Sequence, residues 1–294
     1  MSRVLIIGGQ NIDITAKGTS YTLHDSNCGD ISFGYGGVSG NVAQNLANLG
    51  VSTHFLTVFS NDPLGQSSKA FYQTKDIDVS HSLDVNASSS TYLSLLDEQG
   101  DLYIGFNDMK ALTHLTPNVL ALEQHYINAF DTLFIDTNLT HETLQYLFDH
   151  HHHQTLYVDT VSGVKAPKIK PFIKYVNVLK CTKEELSLLS DETQFTDQLN
   201  DLINQGLKTL IVTNKDQPIT YKTAAITKTF EPDSIETIVS SSGAGDAFIS
   251  GFIYGQLHHA TLETSMAYAI RAASLTLMHP TSVNPSLALK GEEQ

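Results

Sequence analysis

An α/β fold with a mostly parallel sheet covered on both faces follows from three observations. Short apolar runs recur along the chain, segments of helical spacing separate them, and two stretches rich in Ser, Thr, Tyr and Gly interrupt the alternation. Strands that alternate with helices imply right-handed crossovers and a parallel sheet. Continuous apolar runs belong to strands buried on both faces. The two interruptions, at about 14–36 and 89–108, predict a second, smaller sheet made from insertions. A chain of 294 residues suits one such domain, spanning 1–294.

Each element has a local reason. Val4–Ile7 is an apolar run closed by Gly8-Gly9, so it reads as a buried strand. Val42, Ala43, Leu46, Ala47 and Leu49 have helical spacing, and Gly50 ends the helix. Thr53–Phe59 is the next strand, and Asn61-Asp62-Pro63 is a turn or helix start leading into Leu64–Lys75. Thr91–Leu96 and Leu102–Phe106 flank Asp97-Glu98-Gln99-Gly100-Asp101, which predicts a hairpin. Thr132–Asp136, Thr155–Asp159, Val176–Leu179 and Thr209–Thr213 are further strands, separated by helices such as His141–His150 and Lys183–Leu189. The four histidines His150–His153 read as a solvated helix end, because spacing supplies no further metal ligands.

Composition excludes several functions. The net charge is −14, from 17 basic and 31 acidic residues, and such a surface repels nucleic acid. No apolar run approaches the length of a membrane span, and the first residues lack a signal-peptide pattern. Cys28 and Cys181 then read as free thiols, and the expected location is the cytoplasm.

The chemistry-bearing stretch is Ser242-Gly243-Ala244-Gly245-Asp246-Ala247-Phe248, a glycine turn that opens a periodic apolar segment. Bare N–H groups at a helix start bind anions, phosphate above all. A carboxylate beside that site, Asp246, is a natural base for an attacking hydroxyl. The pattern therefore proposes phosphoryl transfer to an alcohol. About 200 residues upstream, Gly36-Gly37-Val38-Ser39-Gly40-Asn41-Val42-Ala43-Gln44-Asn45 is another glycine turn feeding a helix.

In this order, and with Val4–Asp13 as the opening strand and turn, these stretches resemble the signature regions of the PfkB/ribokinase family of sugar and nucleoside kinases. The resemblance runs the full length. It implies a three-layer α/β/α ribokinase-like fold with a β-sheet lid, and ATP and Mg²⁺ as cofactors. It implies Asp246 as the base and Gly243, Ala244 and Gly245 as the anion hole. Asn11, Asp13, Gly37 and Asn41 would hold the acceptor, with Asn138 as a further ligand. Ser242, Thr182 and Thr213 would line the nucleotide, and Glu185 would organise Mg²⁺ through water. The sequence departs from the family in places. Ser240 replaces an Asp that helps bind a monovalent cation, which argues against K⁺ activation. Thr182 stands for an Asn, and Thr213–Pro218 lacks both glycines of a nucleotide loop.

Three pieces resemble the pseudouridine kinase branch of that family: Asp25-Ser26-Asn27-Cys28-Gly29, Gly37–Leu46 and Val158–Ile169. They imply an uncharged nucleoside acceptor and place Asn27 among its contacts. In the last piece, Asp159–Ser162 reads equally as a strand end with a helix cap, and Lys165 could reach a phosphate or face solvent. Rival readings are a sibling kinase for ribose, another nucleoside or a phosphosugar, and a non-catalytic sensor on the same fold. The lid has only Lys17, which disfavours a phosphosugar, and an intact Asp246 disfavours a sensor. Gly8-Gly9 is followed by no dinucleotide fingerprint, and no P-loop or protein-kinase motif is present. Leftover apolar surface on the lid predicts a homodimer joined through it.

Overall fold

The structure, a computed structural model, describes residues 3–18, 21–98 and 102–289. In chain order the strands are β1 (Arg3–Ile7), β2 (Asn11–Lys17), β3 (Asp30–Gly36), β4 (Ser52–Leu56), β5 (Val58–Ser60), β6 (Leu83–Val85), β7 (Thr91–Leu96), β8 (Leu102–Asp108), β9 (Thr132–Asp136), β10 (Thr155–Asp159), β11 (Val178–Thr182), β12 (Thr209–Asn214), β13 (Gln217–Lys222) and β14 (Thr227–Phe230). The α-helices are α1 (Val38–Asn48), α2 (Pro63–Thr74), α3 (Pro117–Ile127), α4 (His141–His150), α5 (Lys183–Leu189), α6 (Phe195–Asn204), α7 (Ala244–Leu257) and α8 (Leu262–Leu277). Two 3₁₀ segments, Lys110–His114 and Ala166–Tyr175, complete the set.

Eight strands form the main sheet in the order β14-β13-β12-β11-β10-β9-β1-β4. The strands from β4 to β12 in that order are parallel, and β13 and β14 run antiparallel at one edge. Alternation within single strands builds a core on each face. Leu5 and Ile7 of β1 join Leu133 and Ile135 of β9, packed with α3, α4, α5 and α6. Val4, Ile6 and Phe134 point the other way, into a core shared with α1, α2, α7 and α8. The result is the predicted α/β/α layering with a mainly parallel centre. From β1 the chain first adds β4 on one side, then β9 on the other. The carboxyl ends of β1 and β9 therefore border a topological switch point, where open α/β sheets bind ligands.

The insertions form a four-stranded sheet, β3-β2-β7-β8, whose strands lie within the expected segments except that β2 starts earlier, at Asn11. Thr19-Ser20 of the first insertion and Gln99–Asp101 of the hairpin loop lie outside the described residues. Cross-strand register sorts the apolar residues of this sheet. Phe33, Ile14, Leu93 and Phe106 line up across one face, as do Ile31, Ala16, Leu95 and Ile104. Asp13, Tyr92 and Asn107 line up on the other.

The run expected as one strand over Thr53–Phe59 is two strands. At Thr57 the hydroxyl turns to the Gly8 carbonyl, 2.7 Å away, and β5 leaves the main sheet to pair with β6. The stretch leading into Leu64–Lys75 is a helix start: Asp62 caps α2, with Pro63 at its first position. The histidine run ends α4. His150 and His151 turn their Nδ1 atoms to the carbonyls of Tyr146 and Phe148, a common use of imidazole at a helix C-terminus. Among the described residues no helix is long and apolar enough to cross a membrane, and both cysteines are free thiols, Cys28 exposed and Cys181 buried.

Candidate active site

Most of the residues singled out from the sequence gather along the carboxyl edge of the main sheet; Asn27 lies in the second sheet's β2–β3 connection. Asn11 and Asp13 begin β2 just past β1, Asn138 follows β9, Thr182 closes β11 and Thr213 lies at the end of β12. Asn41 and Asp246 come from the first turns of α1 and α7. One hydrogen bond joins the two glycine motifs: Asn41 Nδ2 donates to Asp246 Oδ2 at 2.8 Å, across 205 positions of sequence.

Both helices begin at a glycine with positive φ, 84° at Gly37 and 78° at Gly243, and neither has a side-chain cap. The helices α2, α3, α4, α5 and α8 are capped by Asp or Thr side chains instead. Glycine is required at both positions by conformation and by space. A Cβ on Gly37 would lie 2.8 Å from the Gly9 carbonyl oxygen, and one on Gly243 would lie 1.8 Å from that of Ser282. The free N–H groups meet different fates. Asp136 Oδ2 accepts from Ser39 N at 3.1 Å and Ser39 Oγ at 2.6 Å, so a buried carboxylate fills the start of α1. At α7, the amides of Ala244, Gly245 and Asp246 have no protein acceptor among the described residues.

A buried charge cluster surrounds that open terminus. Burial pushes the Asp246 carboxyl up to about 7; Asp159 and Asp136 push the same way, while the Asn41 hydrogen bond and Lys180 oppose them. Lys180 Nζ pairs with Asp159 Oδ2 at 2.9 Å, both side chains buried. Burial works against the Lys180 charge, yet Asp159, Asp246 and Glu185 together hold its pKa above the ordinary lysine value. Its ammonium lies against the glycine turn, 2.7 Å from where a Cβ on Gly245 would stand. Asp13 is pushed up to about 6 by burial, partly offset by the Asn11 amide, which donates at 2.5 Å.

Two of these groups, Asp136 and Lys180, have no role assigned from the sequence, and Asp159 is read there without its partner Lys180. A signal existed: each is a charge near the end of an otherwise apolar strand, and buried charges require partners.

Thr182 and Glu185 form a capping box at α5. Glu185 Oε2 accepts from Thr182 N at 2.8 Å and from Thr160 Oγ1 at 2.6 Å. Thr213 pairs with Thr182 across β11 and β12. After it the chain makes a tight β12–β13 hairpin, in which Lys215 takes the left-handed conformation, φ 52°, without a glycine. Ser242 is exposed, and its N–H meets Ser240 Oγ at 3.3 Å. Among the described residues, no group of three His, Cys, Asp or Glu could hold a metal ion. Asn27 folds its own turn: its amide donates to the Thr22 and Asp25 carbonyls and accepts from Thr22 N. Asn138 donates its N–H to Asp136 Oδ1 at 2.8 Å, and its amide oxygen accepts from Lys165 Nζ at 2.5 Å. In the Asp159–Ser162 stretch the strand-end cap is present, with an ion pair beside it. Asp159 Oδ1 caps Val161 N while its other oxygen faces Lys180.

Comparison with known proteins places the chain in a family. The description pfkB family carbohydrate kinase matches residues 1–288. The uncharacterized sugar kinase YeiI of Escherichia coli (strain K12) is 29% identical over 291 residues, 97% of this chain and 80% of that one. The pseudouridine kinase of the same organism is 28% identical over 293 residues, 97% of this chain and 94% of that one. Among solved structures, the "putative Ribokinase II in complex with ATP and Mg+2 from E.coli" superposes with a TM-score of 0.86 at 14% identity, covering 98% of this chain and 96% of that one. With the ribokinase-like layers, the second sheet and a match over nearly its whole length, this chain belongs to the pfkB family of carbohydrate kinases.

Proposed function

We propose that this chain transfers the terminal phosphoryl group of ATP to the ribose 5′-hydroxyl of pseudouridine, giving pseudouridine 5′-phosphate and ADP. The observation that carries the kinase chemistry is the Asn41–Asp246 hydrogen bond, which sets a carboxylate of pKa about 7 beside an uncapped helix terminus. The likeness to pseudouridine kinase and the three sequence pieces noted above support the acceptor.

The residues fit the cofactors. The α7 amides are free donors for phosphate oxygens, and the left-handed Gly243 keeps the turn bare. Mg²⁺ keeps several waters and needs few protein ligands, so one carboxylate acting through water, that of Glu185, would suffice. ATP supplies the phosphoryl group, and Mg²⁺ neutralises charge on its phosphates.

In this reading Asn11 and Asp13 grip the vicinal ribose hydroxyls, with Gly37 leaving room for the ring. Asp246, aimed by Asn41, takes the proton of the attacking hydroxyl. The N–H groups of Gly243, Ala244 and Gly245 and the Lys180 ammonium stabilise charge on the moving phosphoryl, in a setting where preorganised dipoles count most. Thr182, Thr213 and Ser242 would line the nucleotide, and Glu185 would hold Mg²⁺ through water. With both amide protons used in its own turn, Asn27 contributes by shaping the lid. Ser240 in place of an acid leaves K⁺ without a carboxylate ligand there. The enzyme acts in the cytoplasm on a small molecule, with no nucleic acid or membrane partner. Ile31 and Phe33, 65% and 68% exposed, lie on one face of the second sheet with Ile104. That apolar face is the proposed seam of a homodimer, and light scattering at micromolar concentration should return twice the chain mass.

The deciding experiment is a coupled ADP-release assay over pseudouridine, uridine, ribose and fructose 6-phosphate. Pseudouridine should exceed uridine at least tenfold in kcat/KM, about 1.4 kcal/mol. A site that pairs with the extra ring N–H leaves an acceptor unsatisfied when that N–H is missing. Equal use of both nucleosides, or strong activity on ribose, would move the assignment to a sibling kinase.

A further inference from the structure

A cavity of about 650 Å³ opens where the base of the second sheet meets the carboxyl ends of β9 and β10. Leu93, Phe106 and Met109 form an apolar part of its wall, and Asn138, Lys165 and Lys168 a polar part. Its volume lies within the range of small-molecule sites.

The two lysines have different tasks. Lys168 Nζ donates to the carbonyls of Thr137 at 3.0 Å and Leu139 at 2.9 Å, bracketing Asn138. It fastens the segment that carries Asn138. Lys165 Nζ donates to Asn138 Oδ1 at 2.5 Å and has no carboxylate within ion-pair distance among the described residues. An ammonium has three donors, so two remain for a guest. Burial and the neighbouring Lys168 lower the Lys165 pKa, while Asp136 opposes them. A half-desolvated cation with a single neutral partner favours an electron-rich oxygen.

The backbone that delivers Lys165 is strained. Val161 has φ 63°, a region that β-branched residues rarely occupy. Its turn lets Lys165 N reach the Ser162 carbonyl at 2.9 Å, at the start of the 3₁₀ segment. Strain of this kind persists where surrounding structure over-determines it, often at ligand sites.

We infer that Lys165, aimed by Asn138 and set beside an apolar wall, reads the acceptor's base by donating to a carbonyl oxygen of a pyrimidine dione. This rests on the nucleoside-kinase reading above. A flat ring with carbonyl oxygens at its rim matches an apolar wall that ends in an ammonium and an amide. The assignment concerns the dione as a class. Uridine carries the same two carbonyls, so its binding depends on Lys165 as much as that of pseudouridine.

The test compares wild type with Lys165→Met, Lys165→Gln and Lys165→Arg, each checked for an unchanged melting temperature. Steady-state kinetics are read on pseudouridine, uridine, ribose and fructose 6-phosphate, and pseudouridine binding is read by calorimetry. Lys165→Met and Lys165→Gln should raise KM for both nucleosides at least tenfold, with kcat within about threefold, weaken pseudouridine binding equally, and lower the pseudouridine-to-ribose ratio of kcat/KM tenfold. Lys165→Arg should restore part of the loss, because a donor returns. A wild type that prefers pseudouridine while the variants keep its ratio and affinity overturns this inference and leaves the kinase assignment standing. A wild type that uses only ribose overturns both. One that prefers fructose 6-phosphate, and loses that preference in the variants, assigns Lys165 to a phosphate instead of a carbonyl.

Discussion

Helices α1 and α7 start in the same way, at a left-handed glycine without a side-chain cap, and lean on each other through Asn41 and Asp246. They differ in what meets their first amides. Asp136 occupies the terminus of α1 with an acceptor built into the chain, and the N–H groups of Gly9 and Asn138 complete its shell. The terminus of α7 keeps its amides open, with Asp246 in its first turn. A helix start carries about half a positive charge. Filled from inside, it holds structure; left open, it has room for an anion from outside. Two similar glycine motifs therefore differ in what meets their amides, one filled from within the chain and one left open.

The sharpest way to break this contrast is Asp246→Asn. Loss of a general base costs on the order of 10²–10⁴ in rate, and ATP affinity should hardly change because the α7 amides remain. Near-normal turnover would remove Asp246 from the base role. Gly243→Ala comes next. Its methyl meets the Ser282 carbonyl, so the turn must shift and misalign the amides. An expected loss of about 10²–10³ in kcat corresponds to losing one oxyanion-type donor. If single-turnover kinetics show no such loss, the open terminus is not where charge develops.

On the α1 side the readout should be stability. Asp136→Ala strands the N–H groups of Gly9, Ser39 and Asn138, each at about 1–3 kcal/mol if left unsatisfied. Urea melts should show a lower midpoint. If stability is unaffected while activity vanishes, α1 is as much a functional terminus as α7, and the contrast between them is wrong.

The smallest effect is on pH. A base must be ionised to act, and burial raises the Asp246 pKa to about 7. Activity should therefore be lost as pH falls through about 7, with kcat/KM dropping about tenfold per unit on the acid limb, more steeply below about 6 as Asp13 also protonates. The Asn41 hydrogen bond lowers the Asp246 pKa, so Asn41→Ala should move that limb to higher pH. An acid limb that stays near pH 4 would mean that neither carboxylate is required in its ionised form.

Local pattern carried much of this protein. Short apolar runs become the buried strands β1, β9, β10 and β12, because a strand covered on both faces needs apolar residues along its length. Glycines before helices mark both site termini, because only glycine tolerates the left-handed turn at that contact distance. The insertions were visible as breaks in the rhythm. Distance in sequence hid the rest. Asp136, Asp159 and Lys180 are unremarkable strand-end charges until parallel strands bring them side by side, and only then does burial set their partners and the pKa of Asp246. The same applies to the break of the expected strand at Thr57, which depends on a carbonyl 49 positions away. Asn27 shows the converse, a polar residue well placed in a motif whose amide the fold commits to its own turn. Periodicity and turn chemistry are local, so the chain displays them directly. Charge pairing and desolvation are properties of neighbours, and only the tertiary structure decides who the neighbours are.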